Sequence, residues 1–407
     1  MSKQSDYDVV IVGAGIAGLA LVCGLIDKGL RIAILDSNPK ALTIQPDREI
    51  GDCTSDLRVS AITLGSQQLL EQLQVWQKLT KTALSPFQGM EIWEETSASH
   101  LFFNAADTGQ PHLGTIIKNS DLQTTLIAQA KHTHDIDWFA AESVAAIQNQ
   151  NTLTLLSLTS GASISTRLLV GADGAQSCVR QLAGIQNKVW DYQQRAIIAT
   201  VQTALAHEQI ARQIFLATGP LAFLPLADPR LSSIVWSTTK ELNTLSDELF
   251  CLELASAFEH RLGSITWTSP RLSFPLKAQQ CEQYIKPGIA LIGDAAHVIH
   301  PLAGQGANLG IADAVCLAKT ILEALEKQRA IGAVYTLRRY ERERRFHNRL
   351  MSGGINLIKH LFASSNPILK GTRNFGLRSV DKIAWLKNQF AYYGMGKPGI
   401  TPFNPSF

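Results

Sequence analysis

Asp8-Val-Val-Ile-Val-Gly-Ala-Gly-Ile-Ala-Gly18 decides how this chain is built. The run from Asp8 to Val12 is almost wholly β-branched, as expected of a parallel strand buried on both faces. It ends without a spacer in Gly13-Ala14-Gly15-Ile16-Ala17-Gly18, and a helical segment, Leu19 to Lys28, follows. Gly13 permits the tight turn, Gly15 lets the backbone approach a pyrophosphate, and Gly18 lets the helix lie close to the sheet. Gly29 closes that helix, Arg31 to Leu35 forms a second strand, and Asp36 arrives at its end. An acid there accepts hydrogen bonds from a ribose 2′-hydroxyl and disfavours a 2′-phosphate. A lone G-x-G-x-x-G is weak, but strand, helix, second strand and acid at these spacings predict a site for an ADP moiety that includes Ala14 of the turn. This motif leaves FAD and NAD equally open.

At 407 residues the chain exceeds the usual single domain, so two interleaved lobes with a tail are expected. A formal net charge of +3 with 17% charged residues carries no nucleic-acid signature. The six cysteines contain no C-x-x-C pair in a chain too long to need disulfide staples, which fits a reducing cytoplasm. Met1 to Asp8 reads as neither a signal peptide nor a transit sequence. Apolar runs such as Val9–Val12 and Ile289–Ile292 are strand-sized, far short of the roughly 20 residues that span a bilayer, so membrane contact would be peripheral, at the inner face.

Two further motifs turn the reading toward a flavin. Leu168-Leu-Val-Gly-Ala-Asp-Gly174 is a strand ending in a Gly-Asp-Gly turn, with Asp173 and Gly174 as candidate cofactor contacts. Ile289-Ala-Leu-Ile-Gly-Asp294 is a strand whose closing carboxylate, Asp294, can accept hydrogen bonds from a sugar-like hydroxyl chain. The loop beyond it, Pro301-Leu-Ala-Gly304-Gln305-Gly306-Ala307-Asn308, leads into a helix expected from Ala307. Backbone N–H groups from Gly304 to Asn308, at a positive helix end, would stabilise the negative pyrimidine side of a reduced flavin.

On these residues the chain resembles the aromatic hydroxylases related to para-hydroxybenzoate hydroxylase, and within them the ubiquinone-biosynthesis branch. The loop His300-Pro-Leu-Ala-Gly-Gln-Gly-Ala-Asn-Leu-Gly310 is similar to that branch's signature, and Asp56-Leu-Arg-Val-Ser-Ala-Ile62 to the family's arginine segment. Phe215–Leu226, Ser233–Ser237 and Ala391–Gly396 extend the likeness over essentially the whole chain. The resemblance implies that Arg58 lies near the flavin and adenosine portions of FAD and that Asn119 stands near the ribityl chain. It implies a monooxygenase in which FAD is reduced by a transiently bound NAD(P)H and reacts with O2 to a C4a-hydroperoxide. The oxygen then passes to a polyprenylated phenol. The nicotinamide donor is expected across Gly171–Asp173, and no general base is legible.

The expected fold is α/β. A discontinuous Rossmann-like FAD-binding domain (1–74, 112–180 and 275–330) carries a mixed or antiparallel-sheet substrate domain (75–111 and 181–274) and a helical C-terminal region (331–407). In Tyr335–Arg345 the mixed charges read as a solvated helix face, with an anionic-lipid patch as the alternative. Apolar helix at Ile355–Phe362 reads as core, a prenyl shelter or a membrane face, and the C-terminal helices are a candidate for self-association. His297 and His300 suggest structural or flavin-proximal roles, because no third ligand completes a metal set nearby. Cys53 and Cys178 read as inert thiols beside motifs, with redox activity the alternative. A flavin halogenase would need a G-W-x-W-x-I-P run that the chain lacks. A prenyl-lipid flavin reductase and an FAD-retaining, non-catalytic scaffold subunit of a quinone-biosynthesis complex remain the competing readings.

Overall fold

The computed structural model describes residues 5–42, 57–95, 100–132, 135–150, 152–300 and 304–363, with 354–363 as backbone only. Its α-helices are α1 (Ile16–Leu25), α2 (Leu64–Gln72), α3 (Asn119–Ala130), α4 (Cys178–Leu182), α5 (Asp247–Ala257), α6 (Gln305–Glu326) and α7 (Val334–Ala363). Strand Tyr7–Val12 lies inside an eight-stranded sheet. Parallel to it run Ile32–Asp36 and Ile136–Ala140 on one side, and Ser163–Gly171 and Ile289–Leu291 on the other. Val9, Val10 and Ile11 are fully buried, as their unbroken apolar run requires. Helix α1 is apolar on nearly every side because it is enclosed between that sheet, α3 and α6.

Three details depart from the sequence reading. Helix α1 starts at Ile16, directly after an extended Gly15, and ends at Leu25 rather than Lys28. The chain leaves it because Ile26 is extended and Asp27 takes a left-handed φ of 59°, so Gly29 sits beyond the turn instead of capping the helix. Helix α6 begins at Gln305, two residues before Ala307, with a left-handed Gly304 in the N-cap position.

The second sheet has nine strands. It runs from His297–Val298 through Leu272–Cys281, Asn187–Thr203, Leu231–Thr238, Gly219–Pro225 and Ile210–Leu216 to Gly89–Glu94 and His100–Asn104, with Ile265–Thr268 alongside. It is antiparallel except where Ile210–Leu216 meets Gly89–Glu94, so it is a mixed sheet. Strand Leu272–Cys281 runs across position 275, and its partner His297–Val298 lies just after the third glycine motif. The segment after the third glycine motif is therefore hydrogen-bonded straight into the nine-stranded sheet.

One face of this sheet buries Ile197, Ile214, Phe223 and Trp236 against Phe250 and Leu254 of α5. A Ser246 cap, whose hydroxyl accepts from Leu249 N, and the acids Asp247 and Glu248 in the first turn favour that helix. A small antiparallel sheet, Val59–Thr63, Gly114–Lys118 and Ser85–Phe87, links the two layers. No helix among the described residues is long and apolar enough to cross a membrane.

Candidate functional site

The three glycine motifs meet. Gly13, at φ 107°, leaves so little room that a Cβ would stand 2.3 Å from the Ala172 carbonyl oxygen, and one on Gly18 would stand 2.0 Å from the Gly13 oxygen. The amide of Ala172 donates to Val12 O, and that of Ile292 to Gly171 O. Gly293 and Gly310 both back onto Ala17 of α1. Segments separated by well over a hundred residues thus form one edge at the carboxyl ends of the parallel strands, where open α/β sheets bind ligands.

Other glycines at this edge face open space. A Cβ on Gly15, Gly174 or Gly306 would meet nothing within 4 Å. Gly15 precedes α1 and Gly306 lies in the first turn of α6, where amides have no partner inside the helix. This pair of open, amide-lined cradles fits a dinucleotide with one anionic portion at each helix end.

Asp36 accepts from Ala14 N at 2.7 Å and from Asn38 N at 2.8 Å, which fixes its carboxylate beside the first turn. Arg58 and Asn119 are neighbours: Asn119 N donates to Arg58 O, and Ser60 Oγ donates to Asn119 Oδ1 at 2.7 Å. Asp294 is crowded by protein, which raises its carboxyl pKa, while the charges of His297 and Arg58 pull it back. Its side chain stays exposed at this edge. Gln305 and Ala307 occupy the first turn of α6 with Gly306. Pro301, Asp56, Cys53 and Ala391–Gly396 lie outside the described residues, as do the side chains of Ile355–Phe362.

Two candidates act in ways the sequence did not announce. Asp173 turns both oxygens into its own loop, accepting from Ser177 Oγ at 2.5 Å and from Val179 N at 3.1 Å, and so it braces the start of α4, whose N-cap is Ser177. The side chain of Asn308 is buried. Its amide donates to Ala61 O at 2.8 Å and accepts from Thr63 N at 3.0 Å, clamping strand Val59–Thr63 to α6.

Sequence reasoning missed several residues. Gln123 of α3 donates to Ala14 O at 2.7 Å, and Arg180, almost fully buried, donates to Ala175 O and Ala295 O, joining the second and third motifs. Asp313 is the largest omission. Wholly buried in α6, it accepts from Gly293 N at 3.0 Å, Arg344 Nε at 2.7 Å and Asn348 Nδ2 at 3.1 Å, and its Oδ2 lies 2.5 Å from His297 Nε2. Burial alone would raise its pKa, but His297 and Arg344 outweigh burial and hold the carboxyl at about 2. One carboxylate therefore anchors both ends of the Gly293–His297 segment that presents Asp294. His297 is thus in a structural pair, and His300 packs edge-on against Tyr192, 4.9 Å between ring centres. No group of three metal-ligating side chains occurs among the described residues. Burial pushes the Cys178 thiol up, with Asp173 adding to the effect, which disfavours the reactive thiolate.

Fold and site together define a dinucleotide-binding flavoprotein of two layers, with a substrate sheet joined to the cofactor edge. Residues 6–352 match the family described as FAD binding domain, and the chain belongs to it. It is 34% identical to 3-demethoxyubiquinol 3-hydroxylase of Escherichia coli K12, over 96% of this chain and 98% of that one. It is 32% identical to the mitochondrial ubiquinone biosynthesis monooxygenase COQ6 of Rattus norvegicus, over 95% of this chain and 90% of that one. Among solved structures, p-nitrophenol 4-monooxygenase PnpA from Pseudomonas putida DLL-E4 superposes with a TM-score of 0.77 over 97% of this chain and 99% of that one. At 14% identity that likeness speaks for the fold alone. The cofactor is FAD, and the protein is an FAD-dependent monooxygenase.

Proposed function

We propose that the protein hydroxylates the aromatic ring of a polyprenylated phenol on the route to ubiquinone, consuming NAD(P)H and O2. The observation that carries this reading is the apolar inner face of the nine-stranded sheet closing toward the start of α6, where Phe215 and Ile92 pack with Ile299 and Leu309. A greasy, water-poor wall beside a flavin site suits an apolar ring and limits wasteful release of peroxide. The names of the full-length relatives supply the substrate class.

When bound, FAD supplies the redox chemistry, accepting electrons from NAD(P)H and activating O2. The chain's own residues bind and orient. The Gly13–Gly18 turn and the amino end of α1 receive the pyrophosphate, and Asp36 keeps acceptor capacity for a ribose hydroxyl. Asp294 and Arg58 would hold the polyol portion, and the amides of Gly304, Gln305, Gly306 and Ala307 would supply donors to the negative side of the reduced ring. Because Asp173 is committed to α4, contact with the nicotinamide donor falls to the open rim at Gly174.

Anaerobic reduction by NAD(P)H, with and without a short prenylphenol, tests the reading. Faster bleaching of bound flavin with the phenol is the expected result. Bound flavin that never bleaches would replace this reading with the scaffold one, and a protein that takes up no FAD would sink both. Peripheral contact with a membrane or with partner enzymes belongs, in this reading, to α7, whose exposed Tyr335, Phe346 and Leu350 stand among exposed arginines.

A further inference from the structure

We infer that Gln213 is the residue that orients the substrate, its side-chain amide holding the phenolic oxygen so that one ring position faces the flavin site. This rests on the hydroxylase reading above and goes beyond it by naming the group that recognises the ring.

Strand Ile210–Leu216 pairs without a bulge on both sides, so its side chains alternate strictly. Arg212 and Ile214 point to the outer face, Arg212 to Glu91 at 3.1 Å and Ile214 into the core beneath α5. Ala211, Gln213 and Phe215 therefore share the inner face. The two flanking residues locate that face. Ala211 packs in the apolar group that contains Ala61, the residue a Cβ on Gly304 would touch at 3.0 Å. Phe215 packs with Ile299 and with Leu309, the neighbour of Asn308 on α6. Gln213 stands between them and looks across at the amino end of α6.

Its cross-strand partners are Ala222 on one side and Ile92 on the other, each belonging to one of those two apolar groups. The immediate surroundings of Gln213 are thus apolar on both sides, with a polar side chain on the same face at Ser233, two strands away. Gln213 is only 7% exposed, no described residue hydrogen-bonds its amide, and the amide atoms themselves are not sealed from solvent but open in front of the wall. An amide set among apolar side chains with no protein partner is left for whatever enters the space in front of it, and a binding site uses such a group where a ligand supplies the partner. A glutamine amide also suits a phenol in either protonation state, since Oε1 accepts from the hydroxyl and Nε2–H donates to the phenolate. A carboxylate would repel the phenolate, and a lysine could donate to the oxygen but not accept from the hydroxyl. The apolar neighbours leave the rest of the ring and its prenyl substituent in greasy surroundings.

The test uses the FAD-loaded full chain and two probes of equal size, a short prenylphenol and the matching prenylbenzene that lacks the oxygen. Binding is read from the perturbation of the flavin spectrum, and the fate of O2 from the ratio of hydroxylated product to peroxide. In Gln213→Met, which keeps length and removes the amide, we expect prenylphenol affinity to fall on the order of tenfold. Prenylbenzene affinity should change little, and the product-to-peroxide ratio should drop. Gln213→Glu should weaken binding increasingly as pH rises toward ionisation of the phenol. If Gln213→Met retains FAD and binds prenylphenol within about twofold of the native enzyme, the assignment to Gln213 is wrong although the hydroxylase reading stands. If the native enzyme itself does not distinguish the two probes, no group recognises the oxygen and the assignment falls. If native enzyme also fails to speed NAD(P)H oxidation with any prenylphenol, the hydroxylase reading falls with it.

Discussion

The cofactor edge and the substrate face treat buried polar groups in opposite ways. At the cofactor edge a charge taken out of water is matched several times over, as Asp313 is by a backbone amide, a histidine, an arginine and an asparagine. On the substrate face, Gln213 is buried among apolar side chains with its amide unmatched by described residues. The contrast separates two tasks. In the proposed reading, a flavin held for every turnover would be gripped by backbone-built cradles, whereas a substrate that must enter and leave would meet a largely apolar wall.

The largest effect should come from breaking the rigid side. Gly13→Val forces a branched side chain into the Ala172 carbonyl at a left-handed backbone position, so FAD retention should fall on the order of 100-fold, as flavin released on gel filtration would report. Asp313→Leu strands the Arg344 charge and should destabilise the protein by roughly 3–5 kcal/mol in a denaturant titration. A smaller loss, below about 1 kcal/mol, would mean that water answers Arg344 and the network is less closed than its burial implies.

The same carboxylate sets a pH dependence. Its pKa is held at about 2 in the fold, below the usual unfolded value of about 4. Its contribution to stability is therefore complete above the unfolded pKa and is lost as pH falls through the folded one. Acid unfolding should steepen between roughly pH 4 and 2, and Asp313→Asn should flatten that limb. A more discriminating change is Gly306→Ala, where the added methyl meets no protein atom. The apoprotein's melting temperature should hold while FAD affinity drops severalfold, and a melting shift without a binding shift would put the flavin elsewhere. The smallest effect belongs to Asp173→Ala, which takes one acceptor from the start of α4 while the Ser177 cap stays, and should cost about 1 kcal/mol in a denaturant titration.

The cofactor edge was legible because backbone geometry writes itself into composition. Gly13 and Gly18 sit where a Cβ cannot, and a strand such as Val9–Val12, buried on both faces, has to be apolar throughout. Side-chain networks leave no such spacing. Asp313 is 20 residues from Gly293, 16 from His297 and 31 from Arg344, so nothing local links them. The available signal was an acid inside the apolar run Ile311-Ala-Asp-Ala-Val315, since a charge on a buried helix face requires partners. Asn308 shows a second kind of silence, because the reading concerned its backbone amide and gave no sign that its side chain serves strand Val59–Thr63. Gln213 was unreadable because Arg212, beside it, is equally polar and points the other way.

The meeting of distant motifs also dictates an order of events during synthesis. Strand Tyr7–Val12 leaves the ribosome early, yet one neighbour, Ser163–Gly171, comes some 150 residues later, and Ile289–Leu291 later still. At about 5–20 residues per second, the amino-terminal strand waits many seconds for its full set of partners. The Asp313 carboxylate is answered last, when Arg344 and Asn348 emerge on α7. A ribosome-stalled chain ending before Arg344 should therefore have every glycine motif and still hold flavin poorly, making the emergence of α7 the step that commits the protein to its cofactor.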